Sequence, residues 1–167
     1  MQQPQAIIFD LDGGLTDTAE YHYRAWKHLA DDEKIPLTRE ENDVHLRGIG
    51  RRESLEYIIR GRQYSEQQIQ EMMERKNRYY QEFIRSMTPA EVVFGGRELL
   101  QEIRQRGIKT AIASASKNSR TVLEHLKLIP LFDGIADGSC VVNGKPAPDI
   151  FVRCGTGGRA HSRLSGH

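Results

Sequence analysis

The stretch that decides the fold is AIIFDLDG, residues 6–13. Its first four residues form a short, unbroken apolar run, which is typical of a strand buried on both faces of a parallel sheet. Asp10 follows directly, so we expect it at the carboxyl end of that strand, where open α/β sheets bind ligands. Asp12 can face the same pocket. Carboxylates this close need a cation or a raised pKa, and one can attack phosphorus while the other moves a proton.

The acidic pair has three other interpretations. An EF-hand loop needs Gly at its sixth position and Glu at its twelfth; these positions hold Leu15 and Tyr21, which rejects it. A glycosidase pair needs a controlled separation across a sugar bond, and nothing in the sequence supplies it. A plain aspartate-rich turn is favoured for an isolated Asp-x-Asp-Gly motif. The surrounding sequence therefore has to decide between a turn and a phosphoryl-transfer site.

Strands and helices alternate in the second half of the chain. An amphipathic helix is predicted over residues 97–106, closed by Gly107, and a second short apolar strand over residues 109–113. Another helix is predicted from about Lys117 to Lys127. This order predicts an α/β fold with a Rossmann-like parallel sheet.

A long stretch between the two predicted strands shows helical patterns alone, and it predicts an inserted α-helical cap domain. Its first helix is expected to run to about Asp31, with Asp17 or Thr18 as the N-cap and Glu20 as the capping-box partner of Asp17. The predicted division is a split sheet domain at 1–17 and 88–151, the helical cap at 18–87, and a tail at 152–167.

The tail has no helical or strand period, four glycines, three arginines and no acidic residue. This composition predicts disorder. The residues before it, Pro148 to Phe151, look like the start of a helix. A sharper hypothesis is that the reading frame is lost near Phe151; sequencing the encoding DNA tests it, and an intact frame would contradict it.

Composition indicates an ordinary soluble globular protein, with 38% hydrophobic and 28% charged residues. The net charge of +1 implies no strong attraction to nucleic acid or to a membrane. Residues 1–4 lack the features of a signal peptide. Cys140 and Cys154 form no metal-binding pattern and are expected to be inert. Together these features favour a reduced, cytoplasmic protein.

Three motifs resemble those of the haloacid dehalogenase-like phosphotransferases. The first motif is Phe9 to Gly13 with Thr16-Asp17-Thr18, the second is Ser114-Ala115-Ser116, and the third is Lys145-Pro146. The resemblance implies that Asp10 is the phosphorylated nucleophile and Asp12 the general acid/base. It also implies that Ser114, Ala115 and Lys145 hold the phosphoryl group. Mg²⁺ would be bound by the Asp10 carboxylate and the main-chain carbonyl of Asp12.

The predicted cap narrows the resemblance to the β-phosphoglucomutases, a family within that superfamily, over about residues 5–151. The motifs that carry it are Asp17 to His22, Arg24-Ala25-Trp26, Gly48 to Arg51, Glu53-Ser54-Leu55, Arg75-Lys76-Asn77 and Ser114 to Asn118. They imply an isomerase of carbohydrate metabolism that interconverts β-D-glucose 1-phosphate and D-glucose 6-phosphate through an aspartyl-phosphate enzyme and glucose 1,6-bisphosphate. The intact family member is expected to be a monomer. The implied substrate-binding residues are Thr18, His22, Trp26, Gly48, Arg51, Lys76, Ser116 and Asn118.

Several of these residues also have a plainer structural interpretation. His22 shares a helical face with apolar residues, so it could be a core histidine. Lys76 falls on the apolar stripe of its predicted helix. Its side chain therefore either points toward the buried or substrate-facing side of the cap, or extends from that stripe to solvent. Only one of the adjacent Arg51 and Arg52 can face a substrate; the motif selects Arg51, whose planar fork can hold phosphate at two points. Ser116 could simply cap the next helix.

The sequence departs from the family pattern at four places. Gly14 stands where a bulky apolar residue is usual and could loosen the loop that carries Asp12. Gly50 replaces the usual residue before the phosphate-gripping arginine, and Phe94-Gly95 replaces Pro-Gly. The fourth motif, an acidic pair that supplies a Mg²⁺ ligand, is absent because no Asp or Glu follows Asp149.

Two alternatives to the mutase stay open. One is a sugar-phosphate phosphatase of the same superfamily, which shares the core motifs. The other is an inactive fragment whose sheet is incomplete at the C-terminus, with an exposed edge and an uncovered apolar face. For the chain as given, we expect weak Mg²⁺ binding and little turnover.

Overall fold

The computed structural model describes residues 4–138. Predictions for Cys140, Lys145, Cys154 and the tail therefore lie outside the described residues. Contacts within the described part divide it into two compact units. We call residues 4–17 with 87–138 the sheet unit, and Thr18–Ser86 the helical unit.

The regular elements alternate as the sequence predicts in the sheet unit and are all helical in the other. In chain order they are β1 (Ala6–Phe9), α1 (Ala19–Asp32), α2 (Arg39–His45), α3 (Arg51–Ile58), α4 (Glu66–Phe83), α5 (Gly96–Gln105), β2 (Lys109–Ala113), α6 (Ser119–His125) and β3 (Gly134–Ala136), with single 3₁₀ turns at Ile84–Ser86, Pro89–Glu91 and Ile129–Leu131.

The described strands form one parallel sheet in the order β1–β2–β3, which confirms the predicted fold class. Phe9 lies opposite Ile112 in the β1–β2 register, and Ala113 lies opposite Ala136 in the β2–β3 register. The carboxyl ends of parallel strands meet at one edge of a sheet. The segments that begin at Asp10 and at Ser114 therefore leave the same edge.

Burial differs between the two strands that were predicted from apolar runs. β2 is buried from Thr110 to Ala113, as such a run predicts. β1 alternates between exposed and half-buried residues, and Ile8 is 38% exposed. The prediction that β1 is buried on both faces is therefore wrong for the described structure. The physical reason is that β1 pairs there with β2 alone.

The core of the helical unit lies where α1 packs along α4, with α3 contacting α4 as well. Trp26 and Leu29 of α1, Leu55 of α3 and Met72 of α4 belong to one buried apolar cluster. The buried face of α4 continues from Met72 at four-residue spacing, through Lys76 and Tyr80. The face that holds the apolar core therefore also carries a lysine.

Helix ends agree with the sequence patterns in some places and not in others. Thr18 is the N-cap of α1, but its side chain makes no capping hydrogen bond, and Glu20 pairs instead with Arg39. The capping box predicted for Asp17 and Glu20 is therefore wrong. The N-cap backbone has ψ near 6° rather than the extended conformation that a capping box needs. Gly107 does close α5, with φ of 75°.

None of the helices between residues 4 and 138 has both the length and the apolar character that crossing a bilayer requires.

Candidate active site

Asp10 stands immediately after β1, and its carboxylate is fixed by the local backbone. The main-chain N–H of Leu11 donates a hydrogen bond of 2.9 Å to Asp10 Oδ1. Leu11 itself is fully buried, whereas Asp10 is exposed. The buried leucine anchors the chain at the point where the carboxylate turns toward solvent.

The loop after Asp10 is closed by main-chain hydrogen bonds. The amides of Leu15 and Thr16 donate to the carbonyl of Leu11 at 3.0 and 3.1 Å, and Gly13 N–H donates to the carbonyl of Thr16 at 2.8 Å. Gly13 has φ of 80°, a conformation that favours glycine. Asp12 pairs with Thr16 across this loop and is half-buried. These hydrogen bonds therefore fix the conformation of the loop that carries Asp12, two residues after Asp10.

Gly14 allows a close approach within this loop. A Cβ atom at this position would overlap the main-chain carbonyl oxygen of Asp10. Gly14 therefore lets the backbone pack against the peptide group of Asp10, which differs from the expectation that it loosens the loop.

The second motif follows β2 at the same sheet edge. Ser114 is buried; its N–H donates to the carbonyl of Ala136 at 3.0 Å, and its Oγ accepts from Ser116 N–H at 3.2 Å. Ser116 Oγ in turn accepts from Asn118 N–H at 3.1 Å. Ala115 is exposed at the tip of this turn. The two hydroxyls thus order the turn on which Ala115 is presented.

This turn explains why α6 begins later than predicted. The N-cap of α6 is Asn118, and the helix runs over Ser119–His125 rather than from about Lys117. The alternative that Ser116 caps this helix is therefore wrong, because the Ser116 hydroxyl closes the preceding turn. Sequence reasoning also missed Gly138, where a Cβ atom would overlap the carbonyl oxygen of Ala115.

The described residues offer few donors for a divalent cation. Among residues 4–138, no three His, Cys, Asp or Glu side chains come together as a metal-binding group. Mg²⁺ differs from Zn²⁺ or Ca²⁺ in usually binding through one or two carboxylates, water and substrate phosphate. The Asp10 carboxylate with the Asp12 main-chain carbonyl fits Mg²⁺ in that mode.

The helical unit carries a second candidate site around Lys76. This side chain is only 3% exposed, and its Nζ lies 2.9 Å from His22 Nδ1. Its ammonium also lies 4.7 Å from the ring centre of Trp26 and 5.1 Å from that of Tyr80. His22 stacks on Tyr80 with ring centres 4.2 Å apart. Lys76 is therefore enclosed by aromatic faces and by one imidazole nitrogen.

The electrostatics of this site follow from burial and from like charges. Burial and the positive charges of Lys76 and Arg51 hold the pKa of His22 far below its usual range. His22 is therefore neutral, and Nδ1 accepts the hydrogen bond that Lys76 donates. Burial, with a smaller contribution from Arg51, lowers the pKa of Lys76 from 10.5 to about 7.

The two adjacent arginines at the start of α3 have different surroundings. Arg51 Nη2 donates to Asn77 Oδ1 at 3.0 Å, and burial lowers the pKa of Arg51. Arg52 forms surface ion pairs with Glu56 and Glu66. Arg51 is therefore the arginine that shares its surroundings with α4 and Lys76.

The remaining predicted residues of the helical unit lie near its helix ends. Thr18 is buried at the start of α1, where its carbonyl accepts from His22 N–H at 3.1 Å. Gly48 has φ of 79° in the exposed loop before α3. Sequence reasoning missed Tyr80 as a member of the Lys76 site. Tyr80 lies four residues after Lys76 on α4, and this spacing places both side chains on the same face of the helix. The sequence could therefore have indicated that Tyr80 lies beside Lys76.

Comparisons with known proteins point to one family. The model of the haloacid dehalogenase-like hydrolases matches residues 7–157. The chain is 44% identical over 152 residues to β-phosphoglucomutase of Bacillus subtilis, covering 89% of this chain and 67% of that protein. It is 31% identical over 156 residues to a phosphorylated carbohydrates phosphatase of Thermotoga maritima, covering 89% and 68%. A β-phosphoglucomutase structure from Clostridium difficile matches with a TM-score of 0.82 at 40% identity, over 93% of this chain and 71% of that one.

Proposed function

This chain belongs to the haloacid dehalogenase-like hydrolase family, and we propose that its reaction is the interconversion of β-D-glucose 1-phosphate and D-glucose 6-phosphate. The observation that carries the proposal is that the helical unit places two cations near each other, the buried Lys76 and the half-buried Arg51. Buried cations are costly unless an anion compensates them. A mutase that works through a bisphosphate has a second phosphate group to bind, apart from the one that is transferred.

The sheet unit would carry the transfer itself. Asp10 attacks phosphorus and forms an aspartyl phosphate, while Asp12 gives a proton to the sugar oxygen that leaves. In the second half, Asp12 takes a proton from the 6-hydroxyl of a β-D-glucose 1-phosphate, which attacks the phosphorus of the aspartyl phosphate, forms glucose 1,6-bisphosphate and releases Asp10. The main-chain N–H of the exposed Ala115, the Ser114 hydroxyl, and Lys145 beyond the described residues would hold the phosphoryl oxygens.

We include Mg²⁺ in the proposal as a cofactor. The Asp10 carboxylate and the Asp12 main-chain carbonyl would hold the ion, which would reduce the negative charge against which the carboxylate must attack.

The helical unit would act as a cap that shields the aspartyl phosphate from water. In that role Arg51 and Lys76 would bind the phosphate that is not being transferred, and Ser116 and Asn118 would contact the sugar. Thr18, His22, Trp26 and Gly48 would shape and position the cap side of the site. A mutase needs such a shield, because water would otherwise compete with the sugar hydroxyl for the phosphoryl group.

Phosphatase activity is the second candidate, and its support is the likeness to the phosphorylated carbohydrates phosphatase. The two activities differ in product, since a mutase forms glucose 6-phosphate and a phosphatase releases inorganic phosphate. We therefore propose one assay with both readouts. The purified chain is mixed with Mg²⁺, β-D-glucose 1-phosphate and a trace of glucose 1,6-bisphosphate.

The mutase proposal predicts glucose 6-phosphate in excess over inorganic phosphate, and loss of both products in Asp10→Asn. The matched control is Asp31→Asn, an exposed aspartate of α1. Inorganic phosphate without glucose 6-phosphate would overturn the mutase in favour of the phosphatase. A folded chain that yields neither product would favour the inactive fragment.

A further inference from the structure

Charged and polar groups surround Lys76 inside the helical unit. We use the name Lys76 cluster for His22 and Trp26 of α1, Arg51 of α3, and Lys76 and Tyr80 of α4. Among the described residues, no carboxylate lies within ion-pair distance of Lys76, and the nearby charge is the guanidinium of Arg51. A protonated Lys76 in the ligand-free chain therefore faces a second cation without an anion to balance either.

The hydrogen bond to His22 fits a neutral amine as well as an ammonium. A neutral amine keeps two N–H donors, so it can still donate to His22 Nδ1 at 2.9 Å. His22 cannot act as a counterion, because it is itself neutral. Losing the proton therefore removes the repulsion from Arg51 and the cost of a buried charge without breaking this contact.

We propose that Lys76 is largely neutral in the ligand-free chain at slightly alkaline pH, and that it takes up one proton from solvent when a phosphate monoester dianion binds beside it and Arg51. The proposal rests on the proposed function for the choice of a sugar phosphate as ligand. The dianion supplies the missing counter-charge, so the ammonium form becomes the favoured one. Binding and protonation are then linked, and each strengthens the other.

The neighbours of Lys76 are not expected to take up the proton. Burial lowers the pKa of Lys76 to about 7, and the pKa of His22 lies far below neutrality. Arg51 stays charged, since arginine is not deprotonated in proteins. Asn77, which accepts from Arg51, does not titrate. Within the Lys76 cluster, Lys76 is therefore the group expected to change charge between pH 6 and pH 9.

The first test needs no ligand. Lysine labelled with ¹³C at Cε is incorporated into the whole chain, and its signals are followed by NMR from pH 5 to pH 10. The Lys76 signal is identified as the one lost in Lys76→Met. Its titration midpoint is expected near pH 7, whereas surface lysines titrate at about pH 10.4. A Lys76 midpoint above about 9 would overturn the proposal, whatever the enzyme's activity.

The second test adds a ligand. Glucose 6-phosphate, and separately inorganic phosphate, are expected to raise the Lys76 midpoint by about two pH units or more. Calorimetry at pH 8, in buffers of different ionisation enthalpy, should show uptake of close to one proton per glucose 6-phosphate bound. The sugar phosphate is already a dianion there, because its second pKa is about 6. The control Lys27→Met, at a surface ion pair on α1, should leave the uptake unchanged.

The outcomes distinguish proton uptake by Lys76 from mutase activity. A midpoint that neither glucose 6-phosphate nor inorganic phosphate shifts would overturn the coupling. The chain could also lack mutase activity while its Lys76 midpoint lies near 7 and rises when inorganic phosphate is added. That result would support the coupling and would contradict only the mutase proposal. If both the coupling and the mutase are supported, the affinity for glucose 6-phosphate should fall as pH rises from the midpoint of Lys76 in the free chain to its midpoint in the complex, approaching tenfold per pH unit, because binding in that range has to recruit a proton.

Discussion

Lys76 has a consequence for stability that can be measured apart from any ligand. Its pKa is about 7 in the folded chain and near 10.4 when unfolded. Below pH 7 both states are protonated, so the folded chain carries the full cost of the buried charge. Between the two pKa values only the unfolded state holds the proton, so folding becomes more favourable as pH rises.

We therefore expect Lys76→Met to stabilise the ligand-free chain by about 1–3 kcal/mol at pH 6, since removal of the buried charge outweighs the lost cation–π contacts. Near pH 10 the gain should vanish. Urea unfolding followed by the fluorescence of Trp26, the single tryptophan of the chain, measures both values. Lys27→Met is the matched surface control, and its effect should not change between pH 6 and pH 9. A destabilised Lys76→Met at pH 6 would contradict the prediction.

Gly14 offers a second prediction about a single residue. Gly14→Val places a side chain where it would overlap the carbonyl oxygen of Asp10, so the loop must shift. We expect a loss of roughly 1–3 kcal/mol in stability, as for other overpacked sites. Under the proposed mechanism, phosphorylation of Asp10 by glucose 1,6-bisphosphate should slow roughly 10–100-fold, because the Asp10 carboxylate moves with its peptide group. Denaturant unfolding and rapid-quench mass spectrometry measure the two effects.

Gly134→Ala in β3 is the control for Gly14→Val. A Cβ atom there would contact Ala111 at an ordinary 3.7 Å, so a small effect is expected. A Gly14→Val chain that is phosphorylated at the normal rate would show that the close approach to Asp10 is unimportant.

Residue positions within one helix were predictable, but contacts between helices were not. The apolar stripe on α4 allowed Lys76 to point inward, and the structure buries it. The stack of His22 on Tyr80 depends on how α1 is rotated against α4. Sequence periodicity fixes the face of each helix, not that relative rotation. The resemblance therefore indicated His22, Trp26, Arg51 and Lys76, whereas their contacts with one another could not be predicted.

Helix caps give a prediction at the scale of an element. Ser65 begins α4 in a capping box, since Ser65 Oγ accepts from Gln68 N–H and the Gln68 side chain accepts from Ser65 N–H. Ser65→Ala should destabilise the helical unit by about 1 kcal/mol, because it leaves the Gln68 amide without its side-chain acceptor. Thermal or urea unfolding measures the change. Gln67→Ala, at an exposed position of the same turn, should have little effect; an equal loss in both variants would contradict the capping role.

Element boundaries were predictable where they depend on composition. β2 has the predicted bounds, and α5 ends before Gly107, whose positive φ stops the helix. Thr18 was one of the two N-caps predicted for α1, but the capping box of Asp17 and Glu20 was mispredicted, because a capping box depends on backbone conformation and not only on residue types. The start of α6 was mispredicted because Ser116 forms a turn of its own.

The whole molecule has one surface feature that its separate elements do not explain. Apolar side chains are exposed on the sheet unit beside the β1 edge: Ile8 by 38%, Val93 by 42% and Leu99 by 48%, while Phe94 is fully exposed. In the described structure β1 has a strand partner on one side only. An unpaired edge next to clustered apolar side chains favours association with another chain.

We therefore expect the chain to self-associate through the sheet unit as its concentration rises. Leu99→Glu places a charge in this apolar group on α5 and should raise the monomer fraction measured by analytical ultracentrifugation. The control is Val44→Glu on α2, a position that is more exposed, at 69%, but belongs to the helical unit. It should leave association unchanged. A chain that is monomeric at all concentrations, or that both variants convert equally to monomer, would show that this group of side chains is not an association surface.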